Sequence, residues 1–455
     1  MIEQLAEMPT YEAYKDSGVE WLGEIPAYWN IKRLKYEANV VLGKMLCTEN
    51  KGNYQLKPYL KSKNIQWLNV DISSTDEMWF SPSEIELYRL MHGDLILSEG
   101  GEVGKTCIWN NELDECYIQN SAHKITFSKE NNSRFFLYLF FITGKIGLFD
   151  SIVNRVSIAH LTKEKLTNIH FLFPPLFEQT AIAAFLDCKT AQIDQAVAIK
   201  EQQIALLKER KQILIQNAVT RGLDPNVPMR NSGVEWIGKI PEHWELITLK
   251  RIVYFIQTGP FGAELHAHDY VENGTPLINP KHMKEGNIIP DATCSVDNNT
   301  LLRLKKYQLA NGDLIMARRG ELGRCAVVST KEHGWLCGTG SIVIRLKHDY
   351  FNVKYFFRII SGRGVAEVLG LDSVGSTMDN LNTAIVGNLV LPMPNMEEQT
   401  AIVTHIETQS AKIDQAIAIQ QQQIDKLKEY KATLINSAVT GKVRISDAVQ
   451  LEGVR

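Results

Sequence analysis

The stretch SGVEWLGEIPAYWNIKRLK at residues 17–35 returns as SGVEWIGKIPEHWELITLK at 232–250, displaced by 215 positions. A chain that repeats itself in this way folds as two related units, because each copy carries the same pattern of burial and turns. Two further landmarks keep the copies in step. GDLIL from Gly93 returns as GDLIM from Gly312, displaced by 219, and EQTAI from Glu178 returns from Glu398, displaced by 220. The drift puts a few inserted residues in the middle of each copy, where the two have also diverged most.

Each copy ends in a tail that has diverged little: between 178–220 and 398–440, 24 of 43 aligned positions are identical. Neither tail contains Gly or Pro, each follows a proline (Pro175, Pro394), and each stops near a glycine (Gly222, Gly441). These are the punctuation marks of a long helix. Apolar residues recur near heptad spacing at Leu186, Ile193, Val197, Ile204, Leu207, Leu214 and Ala218, matched by Ile406, Ile413, Ile417, Ile424, Leu427, Leu434 and Ala438. Lys200 and Lys211 interrupt the first stripe, Gln420 and Lys431 the second. With opposite faces rich in Lys, Glu and Gln, the stripes predict two helices packed on each other.

Their direction follows from reach. A helix of this length spans roughly 65 Å, whereas the linker GLDPNVPMRN covers at most about 35 Å. The second globular part must therefore begin near the far end of the first helix, and the second helix must run back. The expected architecture is a dumbbell with pseudo-two-fold symmetry and antiparallel helices.

Within the globular parts, runs such as KPYLKSKNIQWLNV, GDLILSEGG and HKITFS read as strands, and SRFFLYLFFITGKIG as a helix; the second copy agrees with TPLINPKHM, GDLIMARRG, SIVIRLK and NVKYFFRIISGRG. The fold class is α+β. The expected divisions are a first domain over 1–175, a helix over 176–222, a linker over 223–231, a second domain over 232–395, a second helix over 396–441 and a tail over 442–455.

A length of 455 residues leaves room for a core in each part. Seven cysteines form no Cys-x-x-Cys pair and no Cys/His cluster at zinc spacing, which argues against a metal site or disulfide framework and for inert thiols in a reducing cytosol. The N-terminal residues lack the pattern of a signal peptide, and the longest apolar run, Phe135 to Ile142, is far too short to span a membrane. A net charge of −3 does not announce a nucleic-acid binder. Basic residues nevertheless gather in related places, at 50–70, 301–324 and 345–363.

The one nucleotide-like motif is LSEGGEVGKTCIW at 97–109. A phosphate-binding loop needs glycine where Glu99 stands, and a helix after the lysine. Aligned on the repeat, SEGGEVGKTC meets ARRGELGRCA at 317–326, and what both copies keep is Gly-Glu-x-Gly-base, a tight turn followed by a cation. Glu-x-Lys strings at 209–211 and 429–431 lie on the long helices, and HAH at 266–268 occurs in the second copy alone. No catalytic constellation emerges. Two diverged binding domains at fixed separation suit a bipartite target such as duplex DNA, with Lys and Arg on phosphates and polar side chains on base edges.

Taken together, SGVEW-x-G-x-IP-x-x-W, the paired GDLI segments and EQTAI…IDQA…LKE…AVT after each domain resemble the specificity subunits of type I restriction-modification enzymes, across nearly all of 17–445. The resemblance implies a chain without a catalytic site, carrying two target-recognition domains and binding double-stranded DNA and two methyltransferase subunits. The complex would methylate adenine N6 in an asymmetric bipartite site using S-adenosylmethionine. Restriction subunits would add translocation and cleavage driven by ATP with magnesium, all in the cytoplasm and without a membrane. GSTMDNL at 375–381 looks like the family's approach to the second helix, where the first copy has RVSIAHL at 155–161. Candidate DNA contacts are Lys61, Lys63, Asn64, Lys105, Asn279, Lys281, His282, Arg318, Arg319 and Arg324. Candidate helix-pairing residues are Ile193, Val197, Ile204, Leu207, Leu214, Ile413, Ile417, Ile424, Leu427 and Leu434. Two alternatives stay open: a self-contained nucleotide-binding enzyme using the 98–106 loop, and a DNA-binding scaffold or repressor acting without a methyltransferase.

Overall fold

The structure is a computed structural model and describes residues 7–153, 160–347, 351–373 and 381–445. The segments 155–159 and 375–380, which carry most of RVSIAHL and GSTMDNL, lie outside the described residues. The chain divides into two compact units, one of residues up to Lys200 with those from Gln422 onward, the other of Glu201–Gln421. Each unit thus holds one globular domain and a half of each long helix.

Both domains are built on the same four-stranded antiparallel sheet. In the first the order is Ala38–Leu42, Ala122–Phe127, Leu95–Ser98, Thr106–Ile108; in the second it is Val253–Thr258, Ser341–Leu346, Leu314–Ala317, Cys325–Val327. The GDLI segments supply the third strand, and their unbroken apolar run is explained by burial on both faces. Leu95 and Leu97 face the larger core with Ile125 and Phe135, while Ile96 faces a second core with Cys107 and Ile118. Leu314 and Met316 against Ile315 repeat the arrangement. The aspartate before each strand is buried and satisfied. Asp94 accepts from Thr126 Oγ1 at 2.5 Å and the Met91 amide at 2.8 Å, and Asp313 takes both arms of Arg345 at 2.7 Å.

Divergence is concentrated in the second sheet. Domain one has three strands there, Asp76–Phe80, Gln55–Leu60 and Tyr117–Ile118. Domain two has four, Tyr270–Val271, Ser295–Val296, Thr275–Ile278 and Leu336–Cys337, and adds a small hairpin, Met283–Lys284 with Asn287–Ile288.

The long helices run Leu176–Arg221 and Met396–Val439, and the glycine after each, Gly222 and Gly441, takes the left-handed conformation (φ +73° in both) that ends a helix without steric cost. In the first unit Asp194 meets Lys431 Nζ at 2.6 Å and Lys200 Nζ meets Gln423 Oε1 at 2.5 Å, so the numbers rise along one helix as they fall along the other. In the second unit Lys211 bonds both oxygens of Asp414 at 2.7 Å. The helices are antiparallel, and of the lysines that interrupt the apolar stripes, Lys211 and Lys431 form cross-helix ion pairs while Lys200 makes a cross-helix hydrogen bond. Of the stripe residues, Ile193, Ile413, Ile424, Leu427 and Leu434 are buried, while Val197, Ile204, Leu207, Leu214 and Ile417 are partly covered.

The repeated signatures meet where helix joins domain. Trp29 is fully buried, and its indole N–H donates to Glu178 Oε2 at 3.2 Å, which also accepts from the Tyr11 hydroxyl at 2.8 Å. Against the same indole lies Gly441, at the end of the other helix, where a β-carbon would press on Pro26 and Trp29. The second unit repeats the joint with Trp244, whose indole N–H donates to Glu398 at 3.3 Å, and with Gly222 packed on Trp244. The neighbouring glutamines complete it. Gln179 Oε1 accepts the Asn132 amide at 2.8 Å and Gln399 Oε1 the Asn352 amide at 3.0 Å, and each asparagine caps the next helix, Ser133–Lys145 or Val353–Ile360.

Candidate nucleic-acid interface

At one end of each four-stranded sheet, three turns converge on one another. The first is the Gly-Glu-x-Gly turn, which closes the hairpin between Leu95–Ser98 and Thr106–Ile108 and, in the second domain, between Leu314–Ala317 and Cys325–Val327. Gly101 and Gly104 (φ +75° and +80°) and Gly320 and Gly323 (φ +79° and +85°) have left-handed backbone that disfavours a side chain. A β-carbon at Gly104 would overlap the Phe149 ring. The Lys105 amine does not project freely: it bonds Glu102 at 2.7 Å and Gln66 Oε1 at 3.2 Å. Arg324 is held likewise by Glu321 and by the Pro280 carbonyl at 3.3 Å.

The nucleotide-loop reading is overturned by this geometry. Thr106 opens a strand rather than a helix, is fully buried, and donates its hydroxyl to the Gly104 carbonyl at 2.9 Å, so neither magnesium nor phosphate can reach it.

The second turn is a short 3₁₀ helix, Ser62–Asn64 in one domain and Pro280–His282 in the other. Its last residue faces inward in both. Asn64 Oδ1 accepts the Lys61 amide at 3.1 Å, and its Nδ2 donates to the carbonyls of Asp71 and Ser74 at 2.9 and 3.1 Å. His282 is buried, accepts the Asn279 amide on Nδ1 at 3.1 Å, and has a pKa lowered by burial. Asn64 and His282, expected as DNA contacts, are instead buried supports of the turn: Asn64 bonds backbone groups through its amide, and His282 bonds one through Nδ1 with Nε2 buried. Asn279 is also engaged, accepting the Gly340 amide at 3.0 Å.

The lysines of these turns stay outside. Lys61 pairs with Asp76, which lies 4.0 Å from Lys63, and Lys281 pairs with Asp291 at 2.7 Å. Hydrogen bonds to the two aspartates hold Lys61 and Lys281 above the usual lysine range, and the same bonds hold Asp76 and Asp291 below the usual carboxylate range. Both cations stay charged at any physiological pH.

The third turn, 119–121 and 338–340, stitches the other two together. Ser62 exchanges hydrogen bonds with Ser121 at 3.0 and 2.9 Å; Glu99 and Arg318 donate their amides to the carbonyls of Ser121 and Gly340 at 2.9 and 2.8 Å. Arg318 Nε donates to the Leu381 carbonyl at 2.9 Å with the guanidinium 5.8 Å from the Phe261 ring, and Arg319 is exposed beside it. Phe261 is absent from the sequence candidates. The available signal was a phenylalanine between the glycines of GPFG, residues 259–262, in the loop after a strand.

Among the described residues no group of three or more His, Cys, Asp or Glu can hold a metal, and no helix is long and apolar enough to cross a membrane. Cys107, Cys116, Cys294, Cys325 and Cys337 are buried, and burial pushes the Cys116 and Cys325 thiols up to about 12. His266 and His268 stack on each other, 5.3 Å apart, in a surface turn.

Two copies of one α+β binding domain, each joined to an antiparallel pair of long helices, define a tandem recognition protein. The chain belongs to the type I restriction modification DNA specificity domain family, whose sequence model matches residues 28–209 and again 241–429. It is similar to the type I restriction enzyme MjaVIII specificity subunit of Methanocaldococcus jannaschii, 23% identical over 432 residues that cover 93% of this chain and 95% of that one. It also resembles the EcoBI specificity subunit of Escherichia coli, 25% identical over 347 residues, or 74% of this chain and 70% of the other. Among solved structures, a chain from work on complex assembly and conformational transition of the type I R-M system has the same fold (TM-score 0.66, 16% identity, 91% of this chain and 98% of that one). So does the HsdS subunit from Thermoanaerobacter tengcongensis (TM-score 0.51, 16% identity, 92% and 98%).

Proposed function

We propose that this chain is the DNA-specificity subunit of a type I restriction-modification complex, reading an asymmetric bipartite site and recruiting the subunits that act on it. The observation that carries this reading is the contrast within the repeat: the same four-stranded sheet and the same helix joints occur twice, while the turns at one end of that sheet differ in charge and the second sheet differs in strand count. A repeated frame with altered turns suits two half-sites of different sequence.

In this reading the chain makes and breaks no bonds. Two methyltransferase subunits supply S-adenosylmethionine chemistry at adenine N6, and restriction subunits with ATP and magnesium supply translocation and cleavage, in the cytoplasm where the chromosome is exposed. Lys61, Lys63, Lys105, Lys281, Arg319 and Arg324 serve the phosphates, and the ion pairs of the four lysines and Arg324 are exchanged for contacts with DNA as counterions are released. Asn279 and Arg318 lie beside them on the same turns. Ile193, Val197, Ile204, Leu207 and Leu214 pack with Ile413, Ile417, Ile424, Leu427 and Leu434 to hold the helix pair.

The test is the methylome of a host carrying this gene with its methyltransferase. Adenine methylation at a two-part motif is expected, and replacement of residues 232–395 with another such domain should change one half of it alone. A methylation pattern indifferent to deletion of this gene would sink the proposal.

A further inference from the structure

We propose that Arg318 reads a guanine in the half-site contacted by the second domain, and that Phe261 is the positioning residue that holds it for that purpose. The inference rests on the DNA-specificity reading above and deepens it to one side chain and one base.

Arg318 and Glu99 occupy the same place in the two domains. The amide of each donates to the third turn, and the carbonyl of each accepts the amide of Leu381 or Leu161, at 2.8 and 2.9 Å. The residues that hold the frame keep their chemistry across the repeat: Trp29 and Trp244, Glu178 and Glu398, Gln179 and Gln399, Gly101 and Gly320. This position keeps its backbone bonds and reverses its charge, from carboxylate to guanidinium. A place fixed in backbone and free in side chain is what a reading position requires.

The side chain is preorganised. Its Nε is spent on the Leu381 carbonyl at 2.9 Å, and the guanidinium lies 5.8 Å from the ring of Phe261, within cation–π range. That phenylalanine is 57% exposed, so the ring and the guanidinium on it stand at the surface. The two terminal nitrogens of Arg318 have no hydrogen bond or ion pair among the described residues and are not among the buried unpartnered atoms, so they reach solvent. What is left is a planar pair of donors held at one edge and on one face. Guanine offers the matching pair of acceptors, O6 and N7, in the major groove. The neighbouring cations differ: Arg324 is committed to Glu321 and the Pro280 carbonyl, and Arg319 is exposed with no partner to orient it among the described residues.

The experiment expresses the complete complex with Arg318→Ala, Arg318→Lys, Phe261→Ala, Phe261→Tyr or Arg319→Ala, and maps methylated adenines by long-read sequencing. Both Arg318 variants should reduce discrimination for guanine at one position of one half-site by at least about tenfold. Lysine keeps the charge and the fold but loses the planar fork. Phe261→Ala should relax the same position, and Phe261→Tyr, which keeps a ring face, should restore it. Arg319→Ala should lower methylation evenly across all sites. An unchanged motif in both Arg318 variants overturns the inference while leaving the specificity-subunit reading intact. Failure of the unaltered complex to methylate any bipartite motif overturns both.

Discussion

Asn64 and His282 sit in sequence next to Lys63 and Lys281, and each pair alternates between the inside and the outside of one short 3₁₀ turn. The turn has too few residues for a periodic pattern, so the sequence offers no sign of which polar residue faces in. For Asn64, which is 1% exposed and makes three hydrogen bonds, Asn64→Ala should cost about 1–3 kcal/mol by leaving buried backbone groups unpaired. The methylated motif should stay the same; thermal melting beside a methylome checks both halves. The buried imidazoles add a pH dependence. Burial lowers the pKa of both His123 and His282 below the ordinary 6.5. As pH falls through that value the unfolded chain takes up protons first, so the stability these residues allow is present above about pH 6.5 and is lost below it. Melting temperature should drop between pH 7.5 and 5.5, and the slope should be shallower in His123→Gln; an equal slope would assign the loss to other groups.

At the scale of elements, the long helices were legible because glycine, proline and a near-heptad stripe mark them out over tens of residues. Their lysines were not, because spacing alone cannot tell a break in a stripe from one half of a cross-helix pair. Lys431–Asp194 and Lys211–Asp414 are mostly exposed on the acid side, and each should couple by less than about 1 kcal/mol in a double-mutant cycle. Leu434, 1% exposed, should cost about 2–5 kcal/mol as Leu434→Ala. Denaturant unfolding of both series separates register from stability: the ion pairs fix which residues face each other, and the leucines supply the binding energy. The signatures SGVEW…IP-x-x-W and EQTAI look like functional motifs when read as strings. In three dimensions they are the two sides of one joint, Trp29 on Glu178 and Trp244 on Glu398. Shared sequence here reports shared construction.

For the whole molecule, the repeat, the α+β class and the antiparallel helices could be reasoned from sequence, because each follows from length, periodicity and linker reach. The convergence of three turns could not, since it depends on strand order: Gly340 and Asn279 are 61 residues apart yet hydrogen-bonded. One contact has a consequence for how such a gene can be arranged. The Arg444 amide donates to the Pro9 carbonyl at 2.7 Å, and the Tyr14 hydroxyl to the Gly441 carbonyl at 3.2 Å, so the residues that follow the second long helix are stitched to residues 9–14. Residues 9–14 and 441–444 are therefore neighbours within the first unit. A circular permutant opened within 223–228, with residue 445 tied to residue 9 by a short glycine-serine linker, should fold and direct methylation to the same motif in the same orientation. The order in which two half-sites are written in DNA would then be independent of the order in which their readers are written in the gene.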